Sequence, residues 1–253
     1  MNANAQQAVG IVLFGDVVES RDDPQASSAW LRTLSRALQE RYPPTELLAG
    51  IGFTQGDELQ GLLAPSADPF LAVLIGTLHE RALPMRWAVA AGEVAPGSGP
   101  ATERSGPAFL AAREALIEAK ARRDRLLVRT GEPGADRLLD GLAPILGEML
   151  ADLTTRQRRV AWLVLVDNLR QAEVADRLGV SRATISVAHA RGHIRSIGRL
   201  VAALRSLVSA AMLALAEGTA YEADHDAEVA GPLESRRRPP ARPSSQPAAA
   251  GRP

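Results

Sequence analysis

The chain has 253 residues, 29 basic and 29 acidic side chains, a formal net charge of zero and 46% hydrophobic residues, enough for two modest cores and a tail. The absence of cysteine excludes disulfides, thiolate zinc sites and cysteine nucleophiles, and suits a cytoplasmic protein. No run reaches the roughly eighteen uncharged apolar residues of a membrane helix, and MNANAQQAVG lacks the basic start of a signal peptide, so no membrane partner is expected.

Residues 10–15, GIVLFG, form a short apolar run closed by glycine, the pattern of a buried strand. A helical stripe follows over 27–42, with Trp30, Leu31, Leu34, Ala37, Leu38 and Tyr42 at helical spacing, and Pro43-Pro44 ends it. Residues 47–54 and 59–64 read as strands joined by the hairpin signal Gln55-Gly56-Asp57-Glu58. A helix over 69–82 and a strand over 86–94 complete the order βαββαβ. That order predicts a ferredoxin-like α+β domain with strands arranged 4-1-3-2. A loop over 96–107, a helix over 108–122 and a strand over 125–130 extend it, and residues 131–150 read as a linker with a connecting helix.

The C-terminal half predicts an all-α helix-turn-helix domain over 151–217, followed by a tail over 218–253 whose acidic, then Pro/Ala/Ser/Arg-rich composition predicts disorder. In QAEVADRLGVSRATISVAHA, a helix over 172–178 carries Val174, Ala175 and Leu178 on one face, and Gly179 supplies a left-handed turn. Val180 is expected as the apolar plug and Ser181 as the N-cap of a second helix. Ala183, Ile185, Val187 and Ala188 are expected to face inward, leaving Arg182, Thr184, Ser186, His189 and Arg191 as a donor-rich outer face for the major groove. With Arg158 and Gln171 these make the expected DNA-binding set. Charge agrees: residues 150–206 hold ten arginines against four acids, whereas residues 1–149 hold nineteen acids against fourteen bases. His189 and His193 stand one turn apart without a nearby acid, which argues against a metal site. Beyond this module, Ile197, Leu200, Val201, Leu204, Leu207, Val208, Ala211, Met212 and Leu215 form a stripe suited equally to packing on the module or to pairing in a homodimer.

This segment, with the preceding LTTRQRRVAWLVLVDN, resembles sigma-factor region 4 and LuxR-type helix-turn-helix modules, in which Leu153 packs inward and Thr154 or Thr155 caps the helix. The resemblance implies double-stranded DNA as a partner and admits RNA polymerase as another.

In the N-terminal region, FGDVVESR, FTQGDELQGLL, MRWAVAAGEV and GPAFLAAREALIEAK resemble the SatD family and, beyond it, class III nucleotidyl cyclases. The resemblance implies that Asp16 and Asp57 hold Mg²⁺ on a nucleotide and that Arg113 meets its phosphates. It also implies two departures, with Phe53 in place of a purine-selecting lysine and Phe109 in place of a ribose-orienting asparagine. Such a domain, over 1–130, is expected to sense a ligand or to mediate dimerisation and not to catalyse; the alternative is an active Mg²⁺-dependent cyclase with a DNA- or polymerase-binding tail. Against the resemblance stands a plainer reading, in which the aspartates shape turns and Arg113 pairs with Glu93 or Glu58. Together these features describe a DNA-binding transcriptional regulator.

Overall fold

The computed structural model describes residues 8–54 and 58–229. Its strands are β1 (Ala8–Val17), β2 (Leu47–Phe53), β3 (Glu58–Leu63), β4 (Met85–Val94) and β5 (Leu126–Arg129). Helices α1 (Pro24–Arg41), α2 (Pro69–Leu78) and α3 (Pro107–Arg122) alternate with them. Helices α4 (Pro133–Ala151), α5 (Thr155–Leu165), α6 (Gln171–Leu178), α7 (Arg182–Arg191) and α8 (Ile194–Val229) follow. The described residues up to Ala216 form one compact unit of mixed α+β architecture.

Local chemistry sets the helix starts. Proline occupies the first helical position of α1, α2, α3 and α4, where its missing N–H costs nothing and its φ is already helical. Asp23 and Asp68 precede two of these prolines and accept the amides of Ala26 at 2.9 Å and Phe70 at 3.0 Å. Helix α2 stops at Leu78, short of the expected Ala82. His79 turns extended, and its Nδ1 accepts the amide of Arg81 at 3.1 Å.

The sheet order is β2-β3-β1-β4-β5, so the first four strands stand in the sequence-derived arrangement. They pair antiparallel, and β5 adds in parallel to β4. Side chains alternate between two apolar layers. Ile11, Leu13, Trp87 and Val89 enter the larger layer with α1 and α2, while Val12, Phe14, Ala88 and Leu127 enter a smaller one beneath α3. Because β1 is covered on both faces, its sequence is a continuous apolar run and not an alternating one.

The region read as a linker with a connecting helix holds helix α4, which packs as part of the core. Helix α4 buries Ala135, Leu139, Ala143, Leu146 and Leu150 in the larger layer, and the same layer continues through Val160, Val174, Ile185 and Leu204. Sequence alone suggested a boundary here because the stripe of α4 is interrupted by Pro144 and several glycines. Polar ties cross the same seam: Arg41 pairs with Asp167 at 2.6 Å and donates to the Val166 carbonyl at 2.9 Å, and Arg205 pairs with Asp68 at 2.5 Å.

The stripe on α8 turns inward. Ile197, Val201, Leu204, Val208, Ala211 and Met212 are buried within the chain, so Leu204 offers nothing to a second copy. The segment Ile194–Leu215 is long and apolar enough to span a membrane by length and composition, yet its apolar stripe is packed in this core and it carries Arg195, Arg199 and Arg205.

Truncating Leu139 separates a core helix from a linker. Leu139→Ala is expected to destabilise the chain by about 2–5 kcal/mol, the range for a fully buried leucine. A loss below about 0.5 kcal/mol in denaturant unfolding, typical of a surface position, would contradict the placement of α4.

Candidate nucleic-acid interface

Helix α5 begins at a reciprocal cap. The Thr154 hydroxyl accepts the Gln157 amide at 3.4 Å, and the Gln157 carboxamide accepts the Thr154 amide at 2.8 Å, as the Leu-Thr-Thr-Arg-Gln order suggests. Leu153 is buried just before it. Helix α6 starts at Gln171, with Glu173 accepting the Arg170 amide at 2.7 Å. Hydrogen bonding to Arg170 keeps the Glu173 carboxyl below its ordinary range. Gly179 ends α6 at φ 63°, and its amide reaches back to the α6 carbonyls of Ala175 and Asp176. Ser181 then caps α7 by accepting the Thr184 amide at 3.1 Å.

Only Ile185 and Ala188 of α7 are buried. The sequence reading placed Ala183 and Val187 inward as well, and both are exposed, Val187 by 51%. Val180, expected as the plug, is 37% exposed. The physical reason is helical phase. Positions 185 and 188 define a narrow inward seam, and 183, 186, 187 and 190 lie opposite it. The outer face is therefore Ala183, Ser186, Val187 and Ala190, flanked by the exposed Arg182 and Arg191. Thr184 and His189 are half-buried at the margins. Burial, helped by Arg195, holds the His189 imidazole below its ordinary pKa.

A groove runs beside this face, lined by Thr154, Arg156, Gln157, Thr184, Val187 and Arg191. It joins the N-terminus of α5 to the side of α7. Arg156, absent from the sequence-derived set, lies here, while Arg158 does not. The Arg158 Nε donates to the Leu153 carbonyl at 3.1 Å, and its side chain lines cavities between α5, α2 and the sheet. Within Arg156-Gln157-Arg158-Arg159, spacing of about 100° per residue sends neighbouring arginines in different directions, and only packing shows which one borders α7. Gln171 is half-buried at the first position of α6.

The sequence-derived nucleotide site is already internally paired. Asp16, at the end of β1, is 3% exposed and accepts from Lys120 Nζ at 2.8 Å, with Arg86 at 3.9 Å. Glu58 lies opposite Asp16 in the β1–β3 register; it accepts from Gln60 at 2.7 Å and pairs with Arg113. Arg113 also stacks 4.7 Å above the Phe14 ring. Of the two acidic partners suggested for Arg113, the structure selects Glu58. Asp57 lies outside the described residues. Two facing carboxylates are donors of the kind a hard cation takes, but Lys120 and Arg113 already balance their charge. The described residues thus fit Mg²⁺ only if Lys120 is displaced, and among them no group of three or more metal-ligating side chains occurs. Sequence reading missed Lys120; its signal was being the one lysine in an arginine-rich chain, one helical period of seven after Arg113. Phe109 is buried edge-on to Phe14, their ring centroids 6.1 Å apart, so it serves the smaller core.

Residues 144–192 match the family model for Sigma-70, region 4, a stretch that runs from within α4 through α7 and includes every residue of the groove. No curated protein and no solved structure matches the chain. The C-terminal part of this chain is therefore similar to a sigma-70 region 4 helix-turn-helix, a DNA-binding, transcription-related element.

Proposed function

We propose that this chain is a transcriptional regulator that reads double-stranded DNA with the outer face of α7. The observation that carries the reading is that face itself: Arg182, Ser186, Val187 and Arg191 stand exposed on a helix whose opposite side is locked by Ile185 and Ala188. Arg182 lies in the first turn, from which recognition helices reach base edges, and arginine suits guanine. Ala183 and Val187 supply apolar contact for a thymine methyl. Arg156 and Arg191 border the groove and suit the phosphate backbone. The arginine excess over residues 150–206 supports the same reading. The likeness to region 4 favours RNA polymerase as a second partner, contacted from the exposed surface of the same module.

For the α+β region the reading is a cyclase-like scaffold without turnover. Its support is the strand order, the burial of Phe109 and the closed pairs Asp16–Lys120 and Glu58–Arg113. A nucleotide binding there with Mg²⁺ has to open both pairs first, which makes it a sensor whose ligand competes with internal cations. A homodimer requires a surface other than the buried stripe of α8.

Variants at three arginines test the interface on a duplex selected from a random pool, titrated over salt. Arg182→Ala is expected to cost about 1–3 kcal/mol and to relax the sequence preference. Arg156→Ala is expected to lower the magnitude of the salt slope by about one, and Arg158→Ala to leave it unchanged. Equal binding by wild type and the Arg182 and Arg156 variants would remove α7 as the reader.

Lys120→Met is expected to destabilise the fold by about 1–2 kcal/mol, since Asp16 loses one partner but retains Arg86. With ATP or GTP and Mg²⁺, neither wild type nor this variant is expected to form a cyclic nucleotide. Turnover by wild type that disappears in Asp16→Ala would establish the enzyme instead.

A further inference from the structure

At the junction of α2, β4, α4 and α5 lies a cavity of about 120 Å³, lined among others by Thr77, Met85, Trp87, Arg125, Gly147 and Arg158. Trp87 is 1% exposed. Its ring is held tightly against α2, where a Cβ on Gly76 would come within 2.2 Å of it. Among the described residues, its indole Nε1–H meets no acceptor, and neither does the buried Nη1 of Arg125. The other two tryptophans of the chain are satisfied. Trp30 Nε1 donates to Met85 Sδ at 3.2 Å, and Trp162 Nε1 donates to Asp167 at 3.1 Å.

Two orphaned donors at one cavity call for an explanation, because each buried unpaired donor costs about 1–3 kcal/mol and native folds leave few of them. The lining adds a second guanidinium from Arg158 and the Thr77 hydroxyl, and among the described residues it contains no carboxylate. Its polar side chains are thus dominated by donors and its formal charge is positive. Size narrows the ligand further. Pockets for nucleotide- or drug-sized molecules span about 300–1,000 Å³, so this one admits an ion-sized group and excludes a nucleoside.

We propose that this cavity is a binding site for a phosphate-sized oxyanion, held by the Trp87 indole N–H and the guanidinium groups of Arg125 and Arg158. The anion supplies the acceptors that the protein lacks there. It is either inorganic phosphate or the phosphate of a small monoester. The site is separate from the Asp16–Glu58 cluster, since Trp87 and Arg86 point to opposite faces of β4.

The test uses the full chain labelled with ¹⁵N, titrated with sodium phosphate while chloride keeps the ionic strength constant. Of the three indole N–H resonances, the one missing in Trp87→Phe is expected to move saturably, with a parallel rise in melting temperature. Arg125→Gln is expected to weaken that response at least tenfold, and Arg86→Gln, whose guanidinium lies on the other face of the sheet near Asp16, to leave it unchanged. Glycerol 3-phosphate in a second arm separates the two sources, the tighter of the two identifying the ligand. An unmoved Trp87 resonance with both anions would overturn the proposal and leave solvent as the acceptor. So would an equal response to chloride, or full affinity in Arg125→Gln. The wild-type titration stands alone if the Arg125 variant does not fold.

Discussion

The helix-turn-helix module depends on apolar surface that it does not itself possess. Helices α5, α6 and α7 have 11, 8 and 10 residues, lengths at which isolated helices are marginal in water. Their inward residues, Val160, Ala161, Leu163, Val174, Ala175, Ile185 and Ala188, are few and mostly small. They become a core by joining the layer that α2, α4 and α8 already form with the sheet. The orientation of α7, and so of Arg182 and Ser186, is inherited from that shared layer.

Electrostatics follows the same division of labour. The N-terminal part is acidic and the helical module strongly basic, so zero net charge conceals two opposite fields. Inside the sheet, Asp16 and Glu58 are held by Lys120 and Arg113 reaching down from α3. On the module, Arg156, Arg182 and Arg191 remain exposed. A long-range positive field with the inner charges neutralised is the arrangement that steers a polyanion toward one face of a neutral protein.

The proposed nucleotide site in the α+β region is crowded and internally paired. Phe14, Phe109 and Leu116 fill the space beneath α3, and the guanidinium of Arg113 is occupied by Glu58 and the face of Phe14. Chemistry on a nucleotide needs groups free to meet developing charge in the transition state. In the proposed site Asp16 and Glu58 are instead paired with Lys120 and Arg113. The cavity at Trp87 is the converse case, with donors fixed by packing and, among the described residues, left without acceptors.

Much of this was legible in the sequence. Glycine after Leu178 marks a left-handed turn and Ser181 marks a cap, because each signal acts through the backbone of its immediate neighbours. Strand order followed from the rhythm of elements. What tertiary structure alone decided were choices among equivalent local options. Val187 and Ala183 are apolar and were expected inside, but the partner surface of α7 is only two residues wide. Arg156, Arg158 and Arg159 are alike in sequence, and the packing of α5 on α2 and α7 decides which borders the groove. Residues 131–150 read as a linker with a connecting helix, and not as part of the core, because the face that buries Leu139 is supplied by β5 and the sheet core. Periodicity reports that a helix has an apolar face, but the surface that covers it comes from distant parts of the chain.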